Sequence, residues 1–177
     1  MRVLAYIAAV VSGALFVSSH AIAAAISFNF DGTGETILTG PQVGNDVFVN
    51  VTNTAYTLNG IGGWTLDAPL TYNLVSQTGV GTFSFTRGFD SLSGTFTSAG
   101  IFNGGSLTGF SLAYAVLGGA GIFGGASGSG ASTALGTGQA SFLERGTFSI
   151  NVPEPGTLAL FGLGLAGLGM RRRRKTH

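Results

Sequence analysis

Residues 110–116 have the sequence Phe-Ser-Leu-Ala-Tyr-Ala-Val, in which large apolar side chains alternate with small ones. Successive side chains of a β-strand point to opposite faces, so this alternation predicts a strand with one face toward a core. The same period of two recurs along the chain, at residues 26–30, 47–51, 72–74, 83–85, 92–96 and 148–152. Residues 24–152 show no convincing helical stripe, and the pattern therefore predicts an all-β domain.

Turn-forming dipeptides separate the predicted strands: Asp31-Gly32, Asn59-Gly60, Gly62-Gly63, Arg87-Gly88 and Asn103-Gly104-Gly105. Short strands at this spacing are typical of an antiparallel β-barrel or β-sandwich. The 25 glycines among these 129 residues raise the alternative of low-complexity disorder, but 12 phenylalanines need a core to bury them. We therefore expect a folded antiparallel barrel or sandwich.

The predicted domain has few charges and few side chains suited to catalysis. Two arginines oppose six acidic residues, which gives a formal net charge of −4, and no lysine is present. This balance argues against a nucleic-acid partner. The chain has no cysteine, and its two histidines, His20 and His177, lie outside the domain. Histidine- and cysteine-based catalysis and metal binding are therefore excluded there, and we expect no cofactor, no metal and no enzymatic activity.

Carboxylates and one tryptophan are the remaining candidates for a site. Asp31 and Glu35 flank a Gly-Thr-Gly segment; as a pair they could hydrolyse a glycoside or contact Ca²⁺, although turn residues are the commoner case. Trp64, together with Tyr56 or Tyr72, is a candidate ligand contact, because sugar sites often use an exposed aromatic face. A buried core tryptophan is the commoner alternative.

The densest glycine run, residues 118–130, is Gly-Gly-Ala-Gly-Ile-Phe-Gly-Gly-Ala-Ser-Gly-Ser-Gly. It does not predict a phosphate loop, because neither a helix nor a lysine follows it. It resembles a motif of the small secreted β-barrels of the allene oxide cyclase and dirigent-like type. Residues 91–96, Ser-Leu-Ser-Gly-Thr-Phe, resemble a strand of the same proteins. The resemblance implies a barrel topology, but not the cyclase activity, since no functional residue can be matched.

Residues 1–23 predict a signal peptide. Met1-Arg2 is a short basic region, residues 3–17 form an apolar core, and small residues lead to a cleavage site after Ala23, with Ala25 as the near alternative. We therefore expect signal peptidase as a processing partner and export of the β-domain.

Residues 153–177 predict a second targeting signal, at the other end of the chain. Two prolines hold Pro153-Glu154-Pro155 extended, and an apolar run of 15 residues follows at 156–170. As a helix this run would span about 22 Å, less than the ~30 Å of a bilayer core. It ends at a basic stop-transfer cluster that should remain cytoplasmic: Arg171, Arg172, Arg173, Arg174 and Lys175.

Pro-Glu-Pro, a short apolar helix and a terminal arginine cluster together resemble the PEP-CTERM sorting signal of Gram-negative bacteria. This resemblance implies recognition by exosortase, a membrane protease-transpeptidase, and a transient stay in the inner membrane. It also implies that the processing motif comprises Val152, Pro153, Glu154 and Pro155. The family context suggests association with exopolysaccharide or biofilm.

The sequence thus predicts a signal peptide at 1–23, a secreted all-β domain at 24–152 and a sorting segment with a short transmembrane helix at 153–177. The predicted function is that of a non-enzymatic surface or extracellular-matrix protein, sorted by exosortase and associated with exopolysaccharide. Two alternatives remain open. One is a hydrolase or isomerase that uses carboxylates alone, and the other is a barrel that binds a small ligand in an apolar cavity.

Overall fold

Nine antiparallel β-strands are seen in the computed structural model, which describes residues 24–138 and 140–153. The predicted signal peptide and residues 154–177 of the predicted sorting segment lie outside the described residues. No helix in the described ranges is long and apolar enough to cross a membrane. The strands are β1 (Ala24–Leu38), β2 (Asp46–Leu58), β3 (Ile61–Asp67), β4 (Leu70–Asn73), β5 (Thr78–Arg87), β6 (Asp90–Asn103), β7 (Ser106–Ala120), β8 (Ser127–Gly136) and β9 (Ser141–Val152), with a 3₁₀ helix η1 (Gly121–Phe123) before β8.

The strands close into a barrel rather than a sandwich. Apart from β3 and β4, which do not pair with each other, each strand pairs with its neighbours in the chain, and β9 pairs with β1 along its whole length. Strands β3 and β4 lie end to end between β2 and β5, so the barrel wall has eight positions. Pro69 separates β3 from β4 because it has no N–H to donate to the ladder; its carbonyl accepts a hydrogen bond from the Thr82 N–H at 3.1 Å.

Two of the predicted turns are tight two-residue hairpin loops. Asn59 and Gly60 have φ of 51° and 75°, and Gly104 and Gly105 have φ of 59° and 84°. Two successive residues in this left-handed region match the twist of the flanking strands, which explains the preference for Asn-Gly and Gly-Gly. Arg87 pairs with Asp90 across a third two-residue loop, so the Arg87-Gly88 turn prediction is also confirmed.

Two other predicted turns, at Asp31-Gly32 and Gly62-Gly63, are wrong. Asp31-Gly32 lies inside β1, where the Tyr56 ring of β2 covers Gly32 at a spot that a Cβ would occupy. Gly63, with φ of 82°, forms a bulge in β3 that shifts the register against β2. Both glycines therefore lie within a strand, and the chain does not reverse direction at either of them.

The glycine run at 118–130 forms the end of β7, helix η1 and the start of β8. The inward positions of β8 carry only small residues: Gly128, Gly130, Ser132, Ala134 and Gly136. Gly130 pairs with Phe148, whose ring occupies the space beside it. Strand β8 is stable because large side chains of its neighbours fill the volume that its own side chains leave.

Aromatic side chains pack the barrel at one end, which we call the closed end. The rings of Phe30 and Phe148 stack with centroids 4.7 Å apart. Phe123 of η1 covers this core, with its ring 5.8 Å from Phe28 and 5.7 Å from Trp64. Ring pairs at these distances add stability beyond the area that they bury. The opposite end, where the β4–β5, β6–β7 and β8–β9 connections lie, is called the open end.

Candidate functional site

A cavity of about 380 Å³ occupies the open end of the barrel. Ligand sites in proteins usually have volumes of ~300–1,000 Å³ and apolar walls with few polar groups. This cavity follows that description, because most of its wall is aliphatic or aromatic. The large apolar side chains that line it are Val49, Val51, Leu66, Leu70, Leu74, Phe96, Leu107, Phe110, Leu112 and Phe142.

Two hydroxyl groups in the cavity wall lack a hydrogen-bond partner. The Tyr72 Oη and Ser98 Oγ atoms are buried, and neither has a partner among the described residues. Buried polar atoms are nearly always paired in folded proteins, because an unpaired hydroxyl costs roughly 1–3 kcal/mol. An unpaired hydroxyl at a cavity surface is therefore a group that a ligand can satisfy.

Gly79 brings Tyr72 and Ser98 to the same place. Residues 72, 79 and 98 lie side by side on β4, β5 and β6, with the glycine in the middle. A Cβ on Gly79 would lie 2.6 Å from Ser98 Oγ and 3.2 Å from Tyr72 Cδ2. Because Gly79 has no side chain, both polar residues can cover the same stretch of β5.

Phe110 holds the Tyr72 ring in place through an edge-to-face contact, with centroids 5.4 Å apart. Burial raises the pKa of the Tyr72 hydroxyl, because the phenolate would lose its hydration. The hydroxyl therefore keeps its proton at neutral pH. It can donate to a ligand oxygen and accept from a ligand hydroxyl.

A buried polar cluster around Glu144 adjoins the cavity through Tyr114. This carboxylate is 2% exposed. Its Oε1 atom accepts hydrogen bonds from the Tyr114 and Ser132 hydroxyls at 2.5 Å each, and its Oε2 atom accepts one from the Tyr56 hydroxyl at 2.5 Å. Tyr114 belongs to both regions, because its ring also lines the cavity. Hydrogen bonds from hydroxyls to a carboxylate are charge-assisted, and these three satisfy the buried Glu144 without a cation.

The cluster keeps its phenols protonated. Burial raises the pKa of Tyr56, and the nearby Glu144 carboxylate raises it further. The same two causes raise the pKa of Tyr114, in the same order. Both hydroxyls therefore remain hydrogen-bond donors to Glu144 over the physiological pH range.

The cavity wall is electrically neutral. None of the described residues that line it is charged. Within residues 24–138 and 140–153, no three His, Cys, Asp or Glu side chains are grouped closely enough to hold a metal ion. A wall of this kind suits a neutral, largely apolar molecule with one or two oxygen atoms.

Exposed apolar side chains surround the mouth of the cavity. Leu38, the last residue of β1, and Val75, on the β4–β5 connection, are each 72% exposed at the open end. Smaller contributions come from Ile37, Val43, Leu74, Phe102, Leu107 and Leu135. A molecule that leaves an apolar phase would thus meet an apolar rim before it reaches the cavity.

The structure places Trp64 away from the cavity. The side chain is 1% exposed and packs beside Phe123 at the closed end, and it does not line the cavity. Arg87 lies over its ring at 5.9 Å. Trp64 is therefore not among the groups that a ligand in the cavity would touch.

The acidic pair considered from the sequence does not form a site. Asp31 is exposed on β1, and Glu35 accepts a hydrogen bond from Asn53 Nδ2 at 2.6 Å, also at the surface. Neither residue lines the cavity. In the part of the chain that the structure describes, Glu144 is the one carboxylate in the core, and a pair of catalytic acids is not found.

Only the start of the predicted processing motif lies within the described residues. Val152 ends β9, and Pro153 follows it beside Gly125, with Pro153 Cγ 3.3 Å from the spot that a Gly125 Cβ would occupy. Glu154, Pro155 and the basic cluster at 171–175 lie outside the described residues.

Sequence reasoning missed Ser98 and Glu144 as site residues, and it considered Tyr72 only as a partner of Trp64 in a sugar site. A signal for Glu144 was present, because a period of two that runs backward from Phe148 places residue 144 on the inward face. The position of Tyr72 beside Ser98 had no such signal, since it depends on strand register.

Both the C-terminal segment and the barrel match known proteins. The family model described as the PEP-CTERM protein-sorting motif matches residues 151–174. This match confirms the resemblance found in the sequence and implies that the chain is exported and sorted through the membrane by an exosortase.

The barrel is similar to the solved structure of the pterocarpan synthase dirigent protein GePTS1. The TM-score is 0.54 at 13% sequence identity, over 78% of this chain and 94% of that chain. This structural similarity confirms the predicted resemblance to dirigent-like barrels, and it concerns the fold alone. No curated protein matches the chain.

Proposed function

We propose that this chain is an exported, non-enzymatic barrel protein that binds a small, neutral, mostly apolar molecule in its open-end cavity. In this proposal, exosortase places the barrel at the cell surface or in the extracellular matrix. The observation that carries the proposal is the pair of unpaired hydroxyls, Tyr72 Oη and Ser98 Oγ, in an otherwise apolar cavity. A barrel whose interior is packed with side chains would have no cavity and no buried hydroxyl groups without partners.

The chemistry of the wall restricts the ligand. Without a described cation in the wall, a phosphate, sulfate or carboxylate would lose its hydration and gain no ion pair. A hydrocarbon alone would leave both hydroxyls unpaired. The best fit is a compact ring system or a branched chain that carries a hydroxyl or carbonyl group, which Tyr72 and Ser98 would bind.

The first test is to identify what the protein carries. The full chain is purified from its native host without added organic solvent, and bound small molecules are extracted and identified by mass spectrometry. An Ala134→Leu variant should fill the cavity from β8, because Ala134 is buried in the wall. A Val80→Leu variant is the matched control, since Val80 lies exposed on the outer wall.

The expected result is a neutral oxygen-bearing molecule that accompanies the wild type and the Val80→Leu protein but is lost from Ala134→Leu. Recovery of the same extract from all three proteins would contradict binding in the cavity. Recovery of an anionic molecule that Ala134→Leu displaces would contradict the proposed ligand class.

Exosortase processing is tested separately by intact-mass spectrometry of protein from the extracellular fraction. We expect a mature form that ends near Pro153 and disappears when residues 171–175 are deleted. A secreted form that retains Met170 and the arginines would contradict processing at the Pro-Glu-Pro motif.

Association with exopolysaccharide is a second proposed role, supported by the outer wall of the barrel. Hydroxyl side chains form cross-strand rows on β1, β9 and β8, such as Ser27, Ser149 and Ser129, and this wall has few charges. Such a surface can exchange hydrogen bonds with a neutral polysaccharide. Co-sedimentation of the protein with the exopolysaccharide of its host tests this role; substitution of Ser129 and Ser149 by Glu should weaken it, and Ala134→Leu should not.

A further inference from the structure

The closed end of the barrel exposes its own set of apolar side chains, separate from the rim of the cavity. Phe89, at the tip of the β5–β6 hairpin, is 98% exposed. Leu117, Ile122 and Ile61 are also exposed near this end. A group of exposed apolar side chains at one end of a domain is a feature of surfaces that contact a partner or a membrane.

Hydrogen bonds and contacts place Phe89, Ile122 and Pro153 at the same end of the barrel. Asp90 Oδ1, next to Phe89, accepts a hydrogen bond from the Ile122 N–H at 3.0 Å. Three residues after Ile122, Gly125 lies against Pro153. The apolar hairpin tip therefore lies on the side where the described chain ends.

The length of chain after Pro153 limits the distance from this end to a bilayer. The apolar run of the sorting segment begins at Gly156, three residues later. Three residues span about 11 Å at most when fully extended. The headgroup layer on each side of a bilayer core is about 5–8 Å thick. Once the apolar run is in the membrane, Pro153 can lie no farther than about 3–6 Å beyond the headgroup layer.

We infer that the closed end is a membrane-docking surface, in which Phe89 and Ile122 enter the lipid interface while the sorting segment holds the chain. The partner is a phospholipid bilayer, and the inference rests on membrane insertion of residues 156–170. Docking sets the barrel upright with its cavity facing away from the membrane. It also keeps the Pro-Glu-Pro segment at the depth of the headgroups, where a membrane enzyme can reach it.

The chain contains no cysteine, which allows a direct test with single labelled sites. Phe89→Cys, Val75→Cys and Leu165→Cys variants of the full chain are each labelled with an environment-sensitive fluorophore and placed in phosphatidylcholine vesicles. Nitroxide groups near the lipid headgroups or deep in the acyl chains serve as quenchers. Val75 is the matched control, because it is 72% exposed at the opposite end of the barrel. Leu165, in the apolar run, reports membrane insertion itself.

We expect the shallow quencher to reduce the signal at residue 89 at least roughly twofold and to leave residue 75 nearly unchanged, with the deep quencher acting at residue 165. Quenching at residue 165 without quenching at residue 89 would overturn the docking surface and leave sorting intact. Quenching at residue 75 in place of residue 89 would show that the open end docks instead. No quenching at residue 165 would overturn both membrane insertion and docking.

Discussion

The Tyr114 hydroxyl donates a 2.5 Å hydrogen bond to Glu144 Oε1, and this contact joins the wall of the cavity to a carboxylate buried beneath it. Tyr56 and Ser132 bind the same carboxylate from other strands. The cluster therefore connects β2, β7, β8 and β9 at the level where the packed end of the barrel meets the cavity. A buried charge of this kind is stable only while all of its partners are in place.

Removal of the Glu144 side chain should destabilise the barrel strongly. Glu144→Ala leaves three buried hydroxyls without their acceptor, and we expect a loss of about 3–5 kcal/mol in the free energy of unfolding. Glu144→Gln retains one acceptor oxygen and should cost less, about 1–3 kcal/mol. Urea unfolding can be followed by the fluorescence of Trp64, the one tryptophan of the chain.

Glu35→Ala is the matched control for the Glu144 variants, because Glu35 makes its hydrogen bond at the surface of the same barrel. It should change the free energy of unfolding by less than about 1 kcal/mol. If the alanine variants of residues 35 and 144 lost equal amounts of unfolding free energy, the buried cluster would contribute no more to stability than a surface hydrogen bond.

Alkaline pH should weaken the barrel through Tyr56 and Tyr114. Their pKa values are raised in the folded protein above the ordinary value of 10.0, by burial first and by Glu144 second. A raised folded-state pKa gives stability that is complete below the unfolded pKa and is lost as pH rises above it. Above pH ~10, each tyrosine should therefore remove up to about 1.4 kcal/mol of unfolding free energy per pH unit.

The alkaline loss can be assigned by substitution. Urea unfolding between pH 8 and pH 11 should give a shallower decline for Tyr56→Phe and Tyr114→Phe than for the wild type, with the variants less stable at pH 8. If both variants kept the wild-type slope, these phenols would not be the groups that titrate.

Gly32→Ala should destabilise the barrel although it adds one methyl group. The added Cβ would overlap the Tyr56 ring, and displacement of that ring also weakens its bond to Glu144. We expect a loss of about 1–3 kcal/mol in urea unfolding. Gly118→Ala is the control, because nothing lies within 4 Å of its Cβ position, and a change within about 0.5 kcal/mol is expected. A similar loss at both positions would indicate a general intolerance of alanine in these strands.

The alternation at residues 110–116 predicts the strand and places Tyr114 on its apolar face, and the same period in the other stretches predicts the all-β class. The sequence could not show how large and small inward residues match across strands. Strand β8 was missed because its inward residues are too small to give a hydrophobic period, and they acquire a core only beside rings such as Phe148. The Glu144 cluster joins residues up to 88 positions apart, so it depends on barrel closure. The cavity is a volume left unfilled, which no single residue encodes.

Tyr72→Phe and Ser98→Ala should separate binding from stability. The Tyr72 and Ser98 hydroxyls have no partner among the described residues, so removing either one should leave the free energy of unfolding unchanged or raise it by about 1–2 kcal/mol. A ligand whose hydroxyl pairs with Tyr72 or Ser98 should bind about two- to tenfold more weakly to either variant. Calorimetric titration of the full chain in nanodiscs, corrected for protein-free nanodiscs, measures the affinity for 2-naphthol, which has a hydroxyl, and for naphthalene, which has none. The variants should bind 2-naphthol more weakly than the wild type and naphthalene equally well. If either substitution destabilised the protein and left both affinities unchanged, its hydroxyl would serve the fold and not a ligand.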